Sequence, residues 1–132
     1  MNNLVRIGTR GSALALWQAR QAQNMLGIVG LRSELVPISS SGDKALQKPL
    51  YEMGVQGIFT KELDAALLEG QIDVAVHSMK DVPTQLPKGI TTAFIPKRGP
   101  VADVFIFKNK AWEANKSVVA TSSLRRAAQW MH

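Results

Sequence analysis

The chain alternates short apolar runs with segments of helical periodicity, and this alternation limits the folds open to it more than any other feature. Runs typical of strands cover residues 4–9, 33–38 and 72–77, and helical patterns cover 13–26 and 59–70. Strands separated by helices indicate a parallel sheet, because a parallel connection needs a long crossover and an antiparallel one does not. The sequence therefore predicts an α/β fold with helices packed on a sheet.

Both helical segments carry signals for how they pack and where they end. Ala15, Ala19, Ala22 and Leu26 recur at helical spacing in the first segment, and a stripe of mostly small side chains lets a helix approach a sheet closely. In the second segment, Thr60 stands at a candidate N-cap position and Gly70 at a candidate stop. Phe59 could pack in the core or lie on a loop against a planar ligand.

Three more apolar runs and one helical pattern follow the third strand. Residues 89–96, 102–108 and 116–121 contain many β-branched and aromatic side chains, which favour strands. Residues 122–132 open as a helix with two arginines near its start. The pattern predicts that strands and helices continue to alternate along the second part of the chain.

A break between two parts of the chain is predicted near Gly99 and Pro100. These residues lie in the segment "KRGPV", and glycine and proline together interrupt regular structure. We therefore expect two parts, residues 1–96 and residues 97–132, with a hinge at the start of the second.

Composition narrows the class of protein and leaves the ligand open. The chain has 132 residues, with 16 Lys and Arg against 10 Asp and Glu; the net charge of +6 suits nucleic acid, acidic membranes and anionic metabolites alike. The absence of cysteine excludes disulfides and thiolate metal sites. No apolar run approaches the ~18 residues of a membrane span, and residues 1–10 lack the apolar core of a signal peptide. We expect a cytoplasmic protein with no membrane partner.

Polar side chains cluster directly after the predicted strands. The four clusters are Thr9-Arg10-Gly11-Ser12, Ser39-Ser40-Ser41-Gly42-Asp43, Ser78 with Lys80-Asp81, and Thr121-Ser122-Ser123 with Arg125-Arg126. In a parallel sheet, the carboxyl ends of the strands share one edge, and ligands bind in the crevice outside that edge. The clusters are therefore expected to converge on a single cleft.

The cluster that opens the last helix is suited to an anion. Thr121, Ser122 and Ser123 supply hydroxyls for capping, and Arg125 and Arg126 follow in the first turn. Cations there oppose the helix dipole at a cost of roughly 0.3–1 kcal/mol each, whereas a bound anion meets N–H groups and two guanidinium groups together. Two ordinary surface arginines after a cap are the alternative.

The segment "DVAVHSMKDVP", residues 73–83, sets a lysine beside an aspartate just past the third strand. Pro83 drives the preceding residue out of helical geometry, so Lys80 and Asp81 lie where the chain leaves the sheet. An exposed ion pair of little energetic value is the alternative. His77 has no second His or Cys at metal spacing, and we expect it to pack in the fold rather than bind a metal ion.

Three blocks of the sequence resemble signature blocks of one enzyme family. They are "IGTRGSALALWQA" at 7–19, "GIFTKELDAALLEGQIDVAVHSMKDVP" at 57–83 and "VVATSSLRRAAQ" at 118–129, and their order and spacing match over residues 4–132. The family is hydroxymethylbilane synthase, also called porphobilinogen deaminase. The resemblance implies an enzyme that joins four porphobilinogen molecules head to tail, releases ammonia each time and builds the chain on a dipyrromethane cofactor. It also implies a three-domain α/β fold, in which two domains resemble periplasmic binding proteins and enclose the active site.

The resemblance also assigns roles to individual residues. It makes Asp81 the catalytic aspartate, whose fixed carboxylate stabilises the cationic azafulvene-like pyrrole formed when ammonia leaves. The positions that hold acetate and propionate groups of the cofactor are Lys80, Thr121, Ser122, Ser123, Arg125 and Arg126. The positions that face the incoming pyrrole or lie near the cleft are Arg10, Ser12, Asp43 and Phe59. Gln18 matches the family too, but the resemblance gives it no role, and no metal is implied.

The chain departs from the family in length and in cysteine content. Family members are more than twice as long, so this chain would end inside the second domain, with 1–96 as a segment of the first. The family attaches its cofactor through a thioether to a cysteine of the third domain, and this chain has no cysteine. We therefore expect a fragment that is inactive alone, from a parent that is a monomer. Unpaired surfaces in residues 100–132 would favour self-association of the fragment through this segment, or disorder of the segment.

Two other classes of protein suit parts of the pattern. A small-molecule binding module of the periplasmic-binding-protein type would share the fold and an anion-binding cleft, but the absence of a signal peptide and the presence of Asp81 beside Lys80 count against it. A nucleic-acid-binding domain would suit the net charge of +6, but it should show a basic stripe with interleaved aromatic side chains. The chain has one tyrosine and scattered lysines, so we expect no nucleic-acid partner.

Overall fold

A computed structural model describes residues 4–40, 59–106 and 118–132 of the chain. Its contacts separate two units, Met1–Ile95 and Pro96–His132. The first unit carries the sheet, and the described part of the second carries one helix. Across the described ranges, no helix combines the length and the apolar character that crossing a bilayer requires.

Strands and helices alternate in the first unit as the sequence predicts. The elements are β1 (Val5–Thr9), α1 (Ala13–Ile28), β2 (Ser33–Pro37), α2 (Lys61–Leu68) and β3 (Val74–Ala75), followed by a 3-10 turn at Met79–Asp81. The first two predicted strands and both predicted helices are confirmed, with small shifts at their ends.

The strand β1 lies in the centre of a three-stranded parallel sheet with the strand order β2-β1-β3. Val5 pairs with Ser33 at the start of β1, and β2 follows β1 along its whole length. On the other side of β1, Gly8 pairs with Ala75. Helix α1 packs on β1 and β2, whereas α2 packs on β1 and β3. The predicted α/β fold is confirmed.

Small side chains bring α1 close to the sheet. Ala19 is fully buried and Ala15 nearly so, whereas Ala22 and Leu26 of the predicted stripe are half-buried. Short side chains at these positions let the helix backbone approach the strands without leaving a void. Among the described residues of the first unit, the buried apolar ones are Ile7, Ala15, Ala19, Leu63, Ala66 and Ile72.

Gly8 is required by the packing of α2 on the sheet. A Cβ added to Gly8 would lie 2.9 Å from Cδ2 of Leu63 and would overlap Cδ1 of Ile72. Leu63 and Ile72 are almost completely buried and form one core cluster with Ala66. The two side chains therefore occupy the space that any larger residue at position 8 would need.

The two helices of the first unit begin differently. Ser12 caps α1, because its Oγ accepts a hydrogen bond of 3.3 Å from the backbone N–H of Ala15. Thr60 occupies the N-cap position of α2 as predicted, but among the described residues its side chain makes no capping hydrogen bond. The backbone of Thr60 is already helical, whereas a capping side chain needs an extended backbone at this position.

Helix α2 ends at Leu68, and Gly70 stops it just beyond the C-cap, as the sequence predicts. Gly70 has a positive φ of 68°, which other residues adopt only with strain. Its N–H donates to the carbonyl of Leu67 at 3.1 Å, and the N–H of Gln71 donates to the carbonyl of Ala66 at 2.9 Å. This pair of bonds satisfies the last carbonyls of the helix and turns the chain towards β3.

The strand β3 is shorter than the apolar pattern at 72–77 predicts. Only Val74–Ala75 forms a strand, and the N–H of Val76 then donates to the carbonyl of Gly8 at 3.0 Å. Beyond that bond the chain leaves the sheet and enters the 3-10 turn. An apolar run indicates burial, but the neighbouring strand decides how many residues can pair.

An ion pair joins β1 to the chain just before β3. The carboxylate of Asp73 accepts hydrogen bonds from the backbone N–H of Arg6 at 2.8 Å and from its guanidinium at 3.0 and 2.8 Å. These bonds from Arg6 lower the pKa of Asp73 to about 2. The contact therefore holds β1 and β3 together at the end of the sheet opposite the polar clusters.

The strands predicted at 89–96, 102–108 and 116–121 are wrong for the residues that the structure describes. No strand is assigned within the described parts of these runs, while 107–108 and 116–117 lie outside the described ranges. A composition rich in β-branched residues fits a pleated, half-buried surface. It cannot supply the neighbouring strand that a hydrogen-bonded ladder also needs.

Candidate active site

The polar clusters that follow β1 and β3 meet at one edge of the sheet. These strands are parallel neighbours, so the chain leaves both of them on the same side. A cavity of about 80 Å³ lies there, and its lining residues are Arg10, Ser12, Leu14, Ala15, Gln18, Val76, His77, Ser78, Lys80 and Asp81. Two of the four predicted clusters thus share one cleft.

The carboxylate of Asp81 lies between two cations in this cavity. Its Oδ2 is 3.8 Å from Nη1 of Arg10, and its Oδ1 is 3.1 Å from Nζ of Lys80. The side chains of Asp81 and Arg10 are 16% and 19% exposed, whereas that of Lys80 is 77% exposed. Water screens the contact with Lys80 more strongly than the contact with Arg10. The alternative of an exposed ion pair therefore fits Lys80 but not Asp81.

A single 3-10 turn presents Asp81 to the cavity. The N–H of Asp81 donates to the carbonyl of Ser78 at 2.9 Å, and the N–H of Val82 donates to the carbonyl of Met79 at 3.2 Å. Pro83 follows, and its ring and missing N–H prevent a longer helix. The segment therefore stays one turn long, which keeps Asp81 beside the end of β3.

Arg10 contacts an aromatic ring as well as Asp81. Its Cζ lies 4.0 Å from the centre of the Phe59 ring. Such a cation–π contact contributes roughly 0.5–2 kcal/mol. Phe59 therefore lies against the guanidinium of Arg10, and the sequence alternatives of core packing and of contact with a planar ligand stay predictions. The contact limits the directions in which Arg10 can point.

Helix α1 supplies two further polar side chains to the cavity. Ser12 uses its hydroxyl to cap the helix. Oε1 of Gln18 accepts a hydrogen bond of 2.9 Å from the hydroxyl of Ser78, which is 60 positions away in the sequence. Sequence patterns assign no role to Gln18, because no local pattern indicates a contact between side chains so far apart along the chain.

His77 also lines the cavity, and it packs in the fold as the sequence predicts. Its Nε2 has no hydrogen-bond partner in the part of the chain that the structure describes. Burial lowers the pKa of His77 below the ordinary value of 6.5. The carboxylates of Asp64 and Asp81 act in the opposite direction, and the Arg10 guanidinium adds to the lowering. His77 is therefore neutral at pH 7. Over the described ranges, no group of His, Asp and Glu side chains is arranged to hold a metal ion.

The last polar cluster belongs to the second unit and begins helix α3 (Leu124–Met131), which confirms the predicted helix. Oγ of Ser123 accepts a hydrogen bond of 3.3 Å from the N–H of Arg126. Oγ1 of Thr121 accepts one of 3.1 Å from the N–H of Ser123. The hydroxyls thus cap the helix as the sequence predicts.

Arg126 already has an acidic partner within the second unit. Its Nε and Nη2 donate to the carboxylate of Asp103 at 3.1 and 2.5 Å. The side chains of the pair are 56% and 62% exposed, so the interaction is weakened by water. Ser122 and Arg125 are also exposed. A ligand carboxylate could therefore compete with Asp103 for Arg126.

The predicted site residues fall into four groups. Asp43 lies outside the described residues, and the α3 cluster is part of the second unit. Phe59 contacts the cavity through Arg10. The predicted residues that line the cavity itself are Arg10, Ser12, Lys80 and Asp81.

Comparison with known proteins identifies the family. A family model described as "Porphobilinogen deaminase, dipyromethane cofactor binding domain" matches residues 5–132. The chain belongs to the porphobilinogen deaminase family. The matched range contains every described residue of the cavity and the start of α3.

Curated porphobilinogen deaminases match the chain over nearly its whole length. The protein from Syntrophotalea carbinolica is 45% identical over 136 residues and that from Syntrophomonas wolfei 46% over 134, covering 99% and 98% of this chain. The protein from Geobacter sulfurreducens is 47% identical over 132 residues, covering 96% of this chain. The chain spans 43%, 44% and 41% of the length of these relatives, respectively.

The side chains present suit the cofactor of the porphobilinogen deaminase family in part. Acetate and propionate groups, which the resemblance implies for this cofactor, bind best to cationic and N–H donors. Arg10 and Lys80 at the cavity, and the start of α3 in the second unit, supply such donors. The chain contains no cysteine, so it has no thiol for a thioether bond to the cofactor. Donors for carboxylates are therefore present, while a covalent anchor is not.

Proposed function

We propose that this chain is the N-terminal part of a hydroxymethylbilane synthase, which joins four porphobilinogen molecules into a linear tetrapyrrole and releases ammonia. The observation that supports this most directly is the carboxylate of Asp81, which is 16% exposed and lies between the cations of Arg10 and Lys80. Membership of the porphobilinogen deaminase family supplies a reaction that needs such a carboxylate.

In this proposal Asp81 stabilises positive charge on the substrate. When ammonia leaves the protonated aminomethyl group, the C–N bond breaks, its electron pair departs with nitrogen and the positive charge passes to the pyrrole. A carboxylate beside the ring N–H lowers the energy of that cation. The contact with Arg10 and the 3-10 turn already hold Asp81 in position, so little reorganisation is needed when the charge develops.

The neighbouring side chains take the carboxylates of the ligands. Arg10 and Ser12 would contact the incoming pyrrole, and Lys80 would bind a carboxylate of the cofactor, which supplies the site on which the product chain grows. The exposure of Lys80 supports this role, because its ammonium can reach a ligand in solvent. Phe59 would orient Arg10, and Asp43 is proposed to lie near the same cleft.

The start of α3 is proposed to hold further acetate and propionate groups of the cofactor. The N-terminal N–H groups of a helix and adjacent guanidinium groups both favour a carboxylate. Asp103 would release Arg126 when such a carboxylate arrives, because their contact is exposed to water. The residues assigned to this role are Thr121, Ser122, Ser123, Arg125 and Arg126.

The two parts of the chain are proposed to belong to different domains. Residues 1–96 would be a segment of a domain that resembles periplasmic binding proteins, and residues 97–132 would be the hinge and the start of a second such domain. The parallel sheet with β1 at its centre supports the first assignment. The chain spans 41% to 44% of the length of its relatives, which supports a longer parent.

A chimera tests this function. Residues 1–132 would replace the matching segment of the Geobacter sulfurreducens relative, and loss of porphobilinogen and release of ammonia would be measured. We expect an active chimera, in which Asp81→Asn lowers the rate by ~10²–10³ because one preorganised charge is removed. The 132-residue chain alone should form no hydroxymethylbilane, since it has no cysteine to carry the cofactor.

Asp73→Asn is the matched control, because it removes a carboxylate that pairs with Arg6 away from the cavity. Its rate should stay close to that of the unmodified chimera. An Asp81→Asn chimera with a near-normal deamination rate would contradict the proposal. Binding of porphobilinogen without any release of ammonia by the unmodified chimera would instead indicate a binding module.

A further inference from the structure

Ser78 uses its hydroxyl across the cavity rather than within its own turn. Ser78 stands at the N-cap of the 3-10 turn, but among the described residues its side chain makes no capping bond. The hydroxyl donates instead to Oε1 of Gln18 at 2.9 Å. A serine at an N-cap usually accepts a bond from its own helix, so this side chain serves a contact with α1.

The backbone of the same residue holds Asp81. The carbonyl of Ser78 accepts the N–H of Asp81 at 2.9 Å, and this bond closes the turn. Ser78 therefore touches α1 through its side chain and Asp81 through its main chain. Any movement of Ser78 relative to Gln18 would carry the turn, with Lys80 and Asp81, along with it.

Gln18 belongs to the same rigid element that follows Arg10. Helix α1 begins at Ser12, whose carbonyl accepts the N–H of Leu16 at 2.9 Å and whose Oγ accepts the N–H of Ala15. Arg10 thus leads directly into a capped helix, and Gln18 lies on that helix. The position of Gln18 consequently follows that of the segment that carries Arg10.

We propose that Gln18 and Ser78 are positioning residues, and that the hydrogen bond between them sets the separation of Asp81 and Arg10 across the cavity. The proposal rests on the proposed function for its chemical consequence, since Asp81 acts there on the substrate cation. The nearest carboxylate and guanidinium atoms are 3.8 Å apart, close to the limit of an ion pair. A shift of about 1 Å in such a group can change a rate ~10²-fold, so a bond that fixes this separation has a function beyond stability.

Amide exchange in the 132-residue chain tests the bond. We expect Ser78→Ala to speed exchange at the Asp81 N–H and at the Arg10 Nε–H, both followed by NMR, by roughly 2- to 12-fold, the range that one hydrogen bond supports. Gln18→Leu should have the same effect, and the double variant should add little. Ser78→Thr keeps the hydroxyl and should restore slow exchange at both groups.

Gln23→Leu is the matched control on the same helix. Gln23 donates from α1 to the carbonyl of Ser33 at 2.9 Å, so it also joins α1 to another part of the first unit. Its loss should leave exchange at Asp81 and Arg10 unchanged. If Gln23→Leu speeds exchange there as much as Ser78→Ala, the effect is general loosening and the proposal is overturned.

Porphobilinogen binding, measured by calorimetry on the same variants, separates this proposal from the proposed function. If Ser78→Ala binds porphobilinogen more weakly and Ser78→Thr binds it as the unmodified chain does, the positioning role and the proposed function are both supported. If the unmodified chain does not bind porphobilinogen, the proposed function loses support, while the exchange data still decide on the bond. Faster exchange at Asp81 without any change at Arg10 overturns the positioning role, because the two sides of the cavity would then move independently.

Discussion

Replacing Gly8 with alanine should destabilise the chain through a clash in the core. The new Cβ would lie 2.9 Å from Cδ2 of Leu63 and would overlap Cδ1 of Ile72. Both side chains are almost completely buried, at 1% and 2% exposure, so neither can move into solvent. Each must leave its preferred rotamer, or α2 must move away from β1.

The size of the effect follows from two opposing contributions. Overpacking by one methyl group against two buried side chains costs about 2–3 kcal/mol, near the upper end of the usual range. Alanine also restricts the unfolded chain more than glycine does, which returns about 0.4–1 kcal/mol. We therefore expect Gly8→Ala to lower the free energy of unfolding by about 1–2.6 kcal/mol.

Urea unfolding followed by far-ultraviolet circular dichroism would measure this loss. Gly27→Ala is the control, because a Cβ at Gly27 would meet nothing within 4 Å on α1. That substitution should stabilise the chain by up to about 1 kcal/mol, the difference in helix propensity. The two Gly→Ala changes are thus predicted to have opposite signs.

A second substitution tests whether the clash is the cause. Ile72→Val removes the Cδ1 atom that the new Cβ would overlap. In the parent chain, this substitution should lower the free energy of unfolding by about 0.5–1.5 kcal/mol. In the Gly8→Ala background, the loss should be clearly smaller, because the overlap is relieved. Additive losses, or a Gly8→Ala variant as stable as the parent chain, would refute the reasoning from packing.

Three other perturbations address separate contacts. Because Arg6 lowers the pKa of Asp73 from 3.8 to about 2, this contact contributes its stability above pH 3.8 and loses it as the pH falls through 2. Both side chains are more than a third exposed, at 37% and 43%, so water weakens the contact. Asp73→Asn should therefore lower the free energy of unfolding, measured in urea, by less than ~1 kcal/mol at pH 7 and should not change it in strong acid. An equal loss at both pH values would contradict this. Burial lowers the pKa of His77 below 6.5, so the unfolded chain binds a proton at a higher pH than the folded chain does. The free energy of unfolding should therefore decrease as the pH is lowered through 6.5. His77→Gln should reduce that fall, and an identical slope in both proteins would show that another group causes it. In the chimera, Lys80→Met should reduce the fraction of enzyme that carries cofactor, which mass spectrometry measures. The deamination rate of the enzyme that does carry cofactor should change less. Full cofactor loading would argue against the role of Lys80.

Local signals in the sequence were enough to predict the elements of the first unit. The alanine spacing predicts the buried stripe of α1, and Gly70 predicts the end of α2, because each signal acts within a few residues. Strand order is not local. Nothing in the composition of β1 indicates that it lies between β2 and β3, since that order depends on which faces the helices cover.

The wrong strand predictions have the same physical origin. Residues 89–96 have the composition of a strand, but a strand exists only when a second segment pairs with it. Within the described part of the chain no such pairing is found for 89–96 or for 102–106. The shortening of β3 to Val74–Ala75 is a milder case, because only Ile7 and Gly8 of β1 pair with it.

The sequence predicts where in the fold the candidate site lies but not how its side chains are arranged. The rule that parallel strands share a carboxyl edge correctly brings Arg10 towards Lys80 and Asp81. The stacking of Phe59 on Arg10 and the bond between Gln18 and Ser78 join residues that are distant in sequence. Side-chain directions decide such contacts, and these directions are fixed only once the helices are packed.

Packing at Gly8 and charge at the cavity are connected through the register of two strands. Gly8 pairs with Ala75, and the chain runs from there through Thr9 to Arg10 on one side and through the 3-10 turn to Asp81 on the other. A change that moves β3 relative to β1 therefore also alters the distance between the guanidinium and the carboxylate. Because that register depends on Gly8 leaving space for buried side chains, the electrostatics of the proposed active site depend on the absence of a side chain in the core.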